Sequence, residues 1–186
     1  MDMVSSMSIA IIVVFICMFL GVLGILTKFF VKVSEGEVII KSGVGGTVVS
    51  FSSTLAIPNL HSVEILDITA KQAVLERRDK NAVICRDNVA MDIKIVFFMR
   101  INSTEEDILK TIRSMGCGKA SDPEAISLYF ESKFSESLET AARRYESSEI
   151  FNAREQFKKE LGNIIGNEID GFVIEDIAVN FPSRIG

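Results

Sequence analysis

Three glycines, Gly43, Gly45 and Gly46, lie close together in the stretch KSGVGGTVVS and raise the question of phosphate binding. Glycine-rich loops cradle phosphates where a strand leads into a helix, and the P-loop form also needs a Lys-Ser or Lys-Thr pair. No such pair follows Gly46, and the next residues, TVVSF, favour a strand. Because glycine adopts positive φ angles at little steric cost, these residues are predicted to form a tight structural turn between two strands.

The other residue types that could carry chemistry are sparse. Cys17, Cys85 and Cys117 lie far apart and the chain has one histidine, His61, so no metal-ligand spacing occurs. The sequence contains no hydrolase or metalloprotease motif and no evident pair of catalytic carboxylates. We therefore predict no catalytic residue, no metal site, no cofactor and no enzymatic activity. The net charge of −5 and the lack of a basic patch argue against a nucleic-acid partner.

The elements that position these residues begin with an uncharged run from Ile9 to Leu26. As a helix this run would be about 27 Å long, close to the roughly 30 Å hydrocarbon core of a bilayer. We predict a single transmembrane helix over residues 9–27, after a short extracytoplasmic N-terminus over residues 1–8. A cleavable signal peptide is less favoured, because no Lys or Arg precedes the run and no cleavage pattern follows it.

Two lysines, Lys28 and Lys32, follow the apolar run, whereas the N-terminal side has none. By the positive-inside rule the rest of the chain is expected in the cytoplasm. Phe29 and Phe30 lie between the lysines, and we predict that all four residues lie in the membrane interface.

Strand patterns dominate the first half of the remaining chain. The clearest strand is Val89–Ile101, in which every second residue is apolar, so one face is expected in the core. Segments QAVLERR and AVICRD flank the polar turn DKN and are predicted to pair as a hairpin. We interpret Arg77 and Arg78 as ordinary hairpin surface, with lipid headgroups or an acidic neighbour as alternative partners.

Three helices are predicted next, followed by a last strand, FVIEDIAVNF. Ser103 and Glu106 have capping-box spacing at the start of the first helix, and Ser121 and Glu124 at the start of the second. The third helix is predicted to end at Gly171. Because strands and helices are segregated along the chain, the fold class is α+β, with a strand-rich first half and then a sheet packed with helices. The second helix carries an apolar stripe that is expected to face the core: Ile126, Phe130, Phe134, Leu138, Ala141 and Tyr145.

The chain from about Phe30 to Phe181 resembles the SPFH (band 7) superfamily of stomatins, prohibitins and flotillins, most of all the bacterial flotillin-like inner-membrane proteins. The order and spacing of several segments carry the resemblance: EGEVIIKSGVGGTVV, AIPNLHSVEILDIT, LERRDKNAVICRDNVAMDIKIVFFMRIN, LYFESKFSESLETAARRYESSEIFNAREQF and GFVIEDIAVNF.

The resemblance implies an SPFH domain over residues 28–181 at the bacterial cytoplasmic (inner) membrane. It also implies a non-enzymatic scaffold whose copies pack side by side into rings or cages around membrane lipids and other membrane proteins. Flotillins continue into a coiled coil, which is expected to be absent or truncated here, where residues 182–186 form a tail. Two alternatives stay open: a single-pass adaptor or regulator of one membrane protein, and an anchored nucleotide-dependent enzyme.

A second membrane contact is predicted in the stretch Phe51 to Ile57, which carries no charge. We expect Phe51, Leu55 and Ile57 to rest on the inner leaflet or dip into it. A label at Leu55 that aqueous quenchers reach fully would contradict this expectation.

Overall fold

A computed structural model describes residues 3–28, 30–43, 45–55 and 61–181. Within these ranges, the side chains of residues 3–10, 25–28 and 55 are not described. The chain divides into two compact units, Met1–Glu64 and Ile65–Gly186.

The helices and strands follow one another in this order: α1 (Met3–Lys28), β1 (Phe30–Val31), β2 (Glu37–Gly43), β3 (Gly46–Ser50), β4 (Thr54–Leu55), β5 (His61–Asp67), β6 (Lys71–Arg77), a short 3-10 turn (Asp79–Asn81), β7 (Val83–Ile84), β8 (Ala90–Met91), β9 (Ile93–Ile101), α2 (Glu105–Met115), α3 (Cys117–Ala120), α4 (Pro123–Ala142), α5 (Ser147–Asn152), α6 (Arg154–Ile165), β10 (Glu168–Ile169) and β11 (Phe172–Asn180).

The first unit contains α1 and two small sheets. β1 pairs with β4, and a second sheet has the strand order β3-β2-β5, in which the last residues of β5 already belong to the second unit. β2 and β3 form an antiparallel hairpin whose last pair is Gly43 with Gly46. The strand, glycine turn and strand expected from the sequence are therefore present, and Val38, Ile39 and Ile40 of β2 are buried.

The structure corrects the predicted membrane-spanning part of the fold. Among the described residues, no helix combines the length and the apolar run that crossing a bilayer requires. This finding overturns the transmembrane helix predicted over residues 9–27 and leaves the single-pass topology without support.

The second unit is built on an antiparallel sheet with the strand order β10-β11-β9-β6. β9 alternates strictly along its length, with every second side chain buried from Ile93 to Ile101, as its sequence pattern predicts. The predicted strand began at Val89, but Val89 is exposed and Ala90–Met91 form the separate strand β8. Its partner β11 has a register irregularity between Ile174 and Asp176. One face of the sheet therefore forms the core, and the strand order places β9 in its interior.

The helices pack on the core face of this sheet. Phe134 of α4 stacks on Phe97 of β9 with ring centroids 3.9 Å apart, and Phe130 meets Phe172 of β11 edge to face at 5.3 Å. Ile177 of β11 pairs with Phe97 of β9. The side chain of Ile177 also faces α6, because its Cδ1 atom lies 3.7 Å from the position that a Cβ on Gly162 would occupy. The α4 stripe predicted from the sequence is buried from Ile126 to Ala141, whereas Tyr145 follows the helix and is half-buried.

Several local predictions were wrong in register or partner. QAVLERR does not pair with AVICRD, because β6 pairs with β9 and β7 pairs with β8. The cap of α2 is Thr104 in place of Ser103, and the cap of α4 is Asp122 in place of Ser121. The long third helix is two helices, α5 and α6, and it ends at Gly166. Gly171 instead lies in the tight turn between β10 and β11.

Candidate functional site

The β1–β4 pair joins the end of α1 to the uncharged segment that follows β3. Phe30 lies opposite Leu55, and Val31 lies opposite Thr54. Phe30 begins β1 two positions after α1 ends at Lys28. The pairing thus brings together Phe30 and Leu55, two positions that the sequence analysis assigned to membrane contacts in separate parts of the chain.

Apolar side chains of the first unit are exposed beside this pair. Phe30 is 60% exposed and Phe51 is 50% exposed, and the side chain of Lys32 is also exposed. The sequence analysis missed Val48 of β3, which is 49% exposed. No alternation in the stretch TVVSF signals this exposure, because two valines are adjacent and the exposure along β3 does not alternate. The structure leaves these apolar groups uncovered within the described part of the unit.

The charge pattern of the same region separates it from the rest of the surface. From Ser42 to Val63 the sequence contains no Asp, Glu, Lys or Arg. Three lysines, Lys28, Lys32 and Lys41, and two glutamates, Glu35 and Glu37, precede this stretch. An apolar surface with lysines beside it suits the boundary of an anionic membrane, where the stems lie on apolar groups and the ammonium groups meet phosphates.

The glycine turn closes the β2–β3 hairpin at the edge of this surface. Gly45 and Gly46 have φ angles of +109° and +103°, which L side chains rarely adopt. A strand follows Gly46 directly, so the turn does not offer a helix N-terminus to a phosphate. The conformation of the backbone explains the need for glycine at these two positions, and Gly43 is paired with Gly46 in the ladder.

Helix α1 carries the most extensive apolar surface of the first unit. Large apolar side chains are exposed on all sides of it between Ile11 and Leu23, and residues 11–24 include no charged residue. A helix that is apolar all round is stable only when something apolar covers it.

Two predicted interface residues, Phe29 and Ile57, lie outside the described residues, as do the side chains of Lys28 and Leu55. The structure therefore places Phe30, Lys32 and Phe51 at the surface, and it fixes Leu55 through the backbone pairing alone.

A groove of about 810 Å³ in the second unit lies between β6 and the start of α4. Its lysine, Lys71, donates to the carbonyls of Asp67 at 2.9 Å and Thr69 at 3.2 Å, and forms an ion pair with Asp67 at 3.2 Å. Partial burial opposes ionisation of Asp67, but hydrogen bonds from Thr69 and the charge of Lys71 outweigh it and lower its pKa. The charge of Lys71 is thus already paired with the carboxylate of Asp67, so the groove is a poor binding site for a phosphate.

Other chemistry-bearing residues of the described chain are engaged or buried. Arg77 pairs with Glu131 at 3.3 Å, and Arg78 pairs with Glu76, so both arginines have acidic neighbours. Cys85 is buried, and this burial raises the pKa of its thiol. Within the described ranges, no group of three or more His, Cys, Asp or Glu residues is arranged to hold a metal ion.

Comparison with known proteins gives two results. A family model described as "SPFH domain / Band 7 family" matches residues 30–185. The chain is also similar to the "Flotillin family inner membrane protein YqiK" of Escherichia coli K12, with 23% identity over 178 residues. That alignment covers 94% of this chain and 32% of the relative, so the chain spans about a third of the length of that curated relative.

Proposed function

Since the chain belongs to the SPFH domain / Band 7 family, we propose that it is a membrane-associated, non-enzymatic scaffold that self-assembles and organises the lipids and proteins around it. The proposed location is a bacterial cytoplasmic (inner) membrane, in line with the name of the flotillin-family relative.

The observation that carries the proposal is the charge-free, exposed apolar surface of the first unit. The largest group of exposed apolar side chains lies on α1 between Ile11 and Leu23, and Phe30, Val48 and Phe51 are exposed as well. Removing a large apolar side chain from water contributes about 1.5–3 kcal/mol when burial is complete. For the exposed residues of α1 together, partial burial in lipid would contribute on the order of 10 kcal/mol, enough for stable membrane binding.

The lysines beside this surface support a membrane rather than an apolar protein groove as its cover. Lys32 is exposed next to β1, and lysines near an anionic bilayer contribute about 1 kcal/mol each. Phe30 lies two residues before Lys32. Aromatic rings and ammonium groups in such proximity match the headgroup layer, where an apolar body and a polar tip are both accommodated.

The scaffold part of the proposal rests on the family membership and on the make-up of the described chain. The charged groups of the second unit form surface pairs such as Arg86 with Glu146 at 3.0 Å and Arg100 with Glu175 at 2.7 Å. Such pairs stabilise a surface modestly and do not form a reaction site. We infer that such a scaffold works by its position at the membrane and by the number of copies that assemble there.

Flotation with vesicles tests both parts. The full chain is purified in detergent and mixed with anionic vesicles, the detergent is removed, and the sample is centrifuged through a density gradient. In a second experiment the chain is reconstituted into nanodiscs, and the mass of the bound species is measured. We expect the chain to float and to form species larger than a monomer. A floating but strictly monomeric chain would support the adaptor alternative, and a chain that stays at the bottom would reject membrane association.

A further inference from the structure

Strand β3 is an edge strand whose outer side is open. The sheet order is β3-β2-β5, so β3 has a strand on one side only, and no described residue pairs with its other side. The pair Gly43–Gly46 closes a two-residue loop, and hairpin geometry makes the closing pair of such a loop a hydrogen-bonded pair. The next pair is Ser42 with Thr47, whose hydroxyl oxygens lie 3.1 Å apart, as expected where side chains approach closely. The backbone N–H and C=O groups of Thr47 therefore point away from β2, and those of Val49 do the same.

This edge lacks the protection that natural sheets use. Charged side chains, prolines and covering helices normally prevent exposed edge strands from pairing with other chains. β3 has the sequence GTVVS, without a charge or a proline.

The other edges of the three- and four-stranded sheets are protected. β5 carries Glu64 and Asp67, and the two-residue strand β10 carries Glu168. On β6, the Val74 amide donates to Ser127 Oγ of α4 at 3.1 Å, so a helix covers that edge.

We propose that β3 pairs antiparallel with β3 of a second copy of this chain, about a two-fold axis at Val48. In this register Thr47 lies opposite Val49 of the second copy, and the outward N–H and C=O groups of both residues form four hydrogen bonds across the axis. Val48 lies opposite its own counterpart, and all central pairs are β-branched, which favours cross-strand packing. The pairing joins the two hairpins into one continuous sheet.

Charge favours β3 over the edge strands β5 and β10 as the site where two copies pair. Two copies of β3 meet without any like-charge contact, whereas two copies of β5 or β10 bring carboxylates toward each other. The extent of pairing rests on the proposed membrane association, because confinement to a bilayer raises the effective concentration of the copies. It also satisfies backbone groups that lie beside the apolar surface, where unpaired groups are costly.

Disulfide trapping tests the register. Val48→Cys is introduced into the full chain together with Cys17→Ser, which removes the exposed cysteine and leaves the buried Cys85 and Cys117 in place. Opposite residues of an antiparallel pair lie within the Cα range of about 4.4–6.8 Å that a disulfide needs. Ser50→Cys is the matched control, because its two copies would be about 13 Å apart along the strands. Under mild oxidation on vesicles we expect about tenfold more cross-linked dimer for Val48→Cys than for Ser50→Cys.

A second variant separates edge pairing from chance collision. Val49→Pro removes an outward N–H and leaves the bonds between β2 and β3 intact. Combined with Val48→Cys, it should abolish the excess of dimer, while flotation stays equal to that of Val48→Cys alone. Equal cross-linking at positions 48 and 50, or cross-linking that survives Val49→Pro, would overturn the proposal. The same oxidation in concentrated detergent solution tests the pairing even if the chain does not float, so failure of membrane association and failure of edge pairing are distinguishable.

Discussion

Phe30 lies directly opposite Leu55 across the β1–β4 pair, although 24 residues of chain separate them. The pair ties the end of α1 to the uncharged segment behind the hairpin. Phe30 is exposed in β1, and Phe51 is exposed in the segment that leads to β4. The membrane-facing role proposed for the first unit depends on the β1–β4 pairing, because it places Phe30 and the segment after Phe51 in one region.

Replacing the two exposed phenylalanines should weaken membrane binding without unfolding the protein. Each ring is exposed by half or more, so Phe30→Ser with Phe51→Ser is expected to reduce vesicle affinity by roughly tenfold to a hundredfold. Titration with anionic vesicles, followed by sedimentation, measures the change. Leu128→Ser is the control, since Leu128 is 74% exposed but lies in the second unit. Equal losses for the control and the double variant would contradict the assignment of the surface.

Gly45→Val should damage the hairpin and leave nucleotide response unchanged. A Cβ at Gly45 would meet nothing within 4 Å, but the φ of this residue is +109°, and forcing a β-branched residue into that conformation costs about 1–3 kcal/mol. Thermal unfolding of the first unit, with and without ATP and magnesium, is the measurement. We expect a lower Tm and no effect of nucleotide on either protein. Stabilisation of the natural protein by nucleotide, lost in the variant, would favour the phosphate-binding alternative.

Gly171→Ala should be among the most damaging small substitutions in the second unit. The φ of Gly171 is +87°, and a Cβ there would overlap the carbonyl oxygen of Asp107 and the hydroxyl of Thr111. Strain and overlap together should cost about 2–4 kcal/mol of unfolding free energy. Urea unfolding measures it, with Gly118→Ala as the control, because nothing lies within 4 Å of a Cβ at that position. A change below about 1 kcal/mol would show that the turn relaxes easily.

The first turn of α2 should contribute to acid sensitivity. Hydrogen bonds from the Thr104 hydroxyl and the Asn102 amide, the latter 2.7 Å long, lower the pKa of Asp107. A lowered pKa means that the carboxylate stabilises the fold above its unfolded value, about 3.9, and that this stability is lost as the pH falls through the folded value. Asp107→Asn should therefore flatten the decline in unfolding free energy below about pH 5. Glu105→Gln should leave that decline in place, and identical curves for the natural protein and Asp107→Asn would contradict the prediction.

Local patterns in the sequence predicted the core of the second unit well. The alternation of apolar residues predicted the buried face of β9, and apolar residues at three- and four-residue steps predicted the buried face of α4. Both patterns work because buried positions repeat every two residues in a strand and about every 3.6 residues in a helix. The positive φ at Gly45 also follows from local chemistry.

Pairing and caps were less predictable because they depend on distant groups. β6 pairs with β9 although AVICRD lies nearer along the chain, since the long apolar face of β9 offers more buried contact than a short hairpin. Ser103 and Thr104 are both capping residues, and the contact of Thr104 with Asp107 decided between them. The contact of Phe30 with Leu55 left no periodic signal in either segment.

Depth-dependent quenching of a fluorophore at position 51 would show whether the apolar surface of the first unit contacts lipid. The label is attached to Phe51→Cys in a Cys17→Ser background, and the full chain is bound to vesicles that contain lipids brominated at different depths. We expect quenching by lipids brominated near the headgroups and protection from aqueous iodide. Full quenching by iodide, equal with and without vesicles, would contradict membrane contact at this surface.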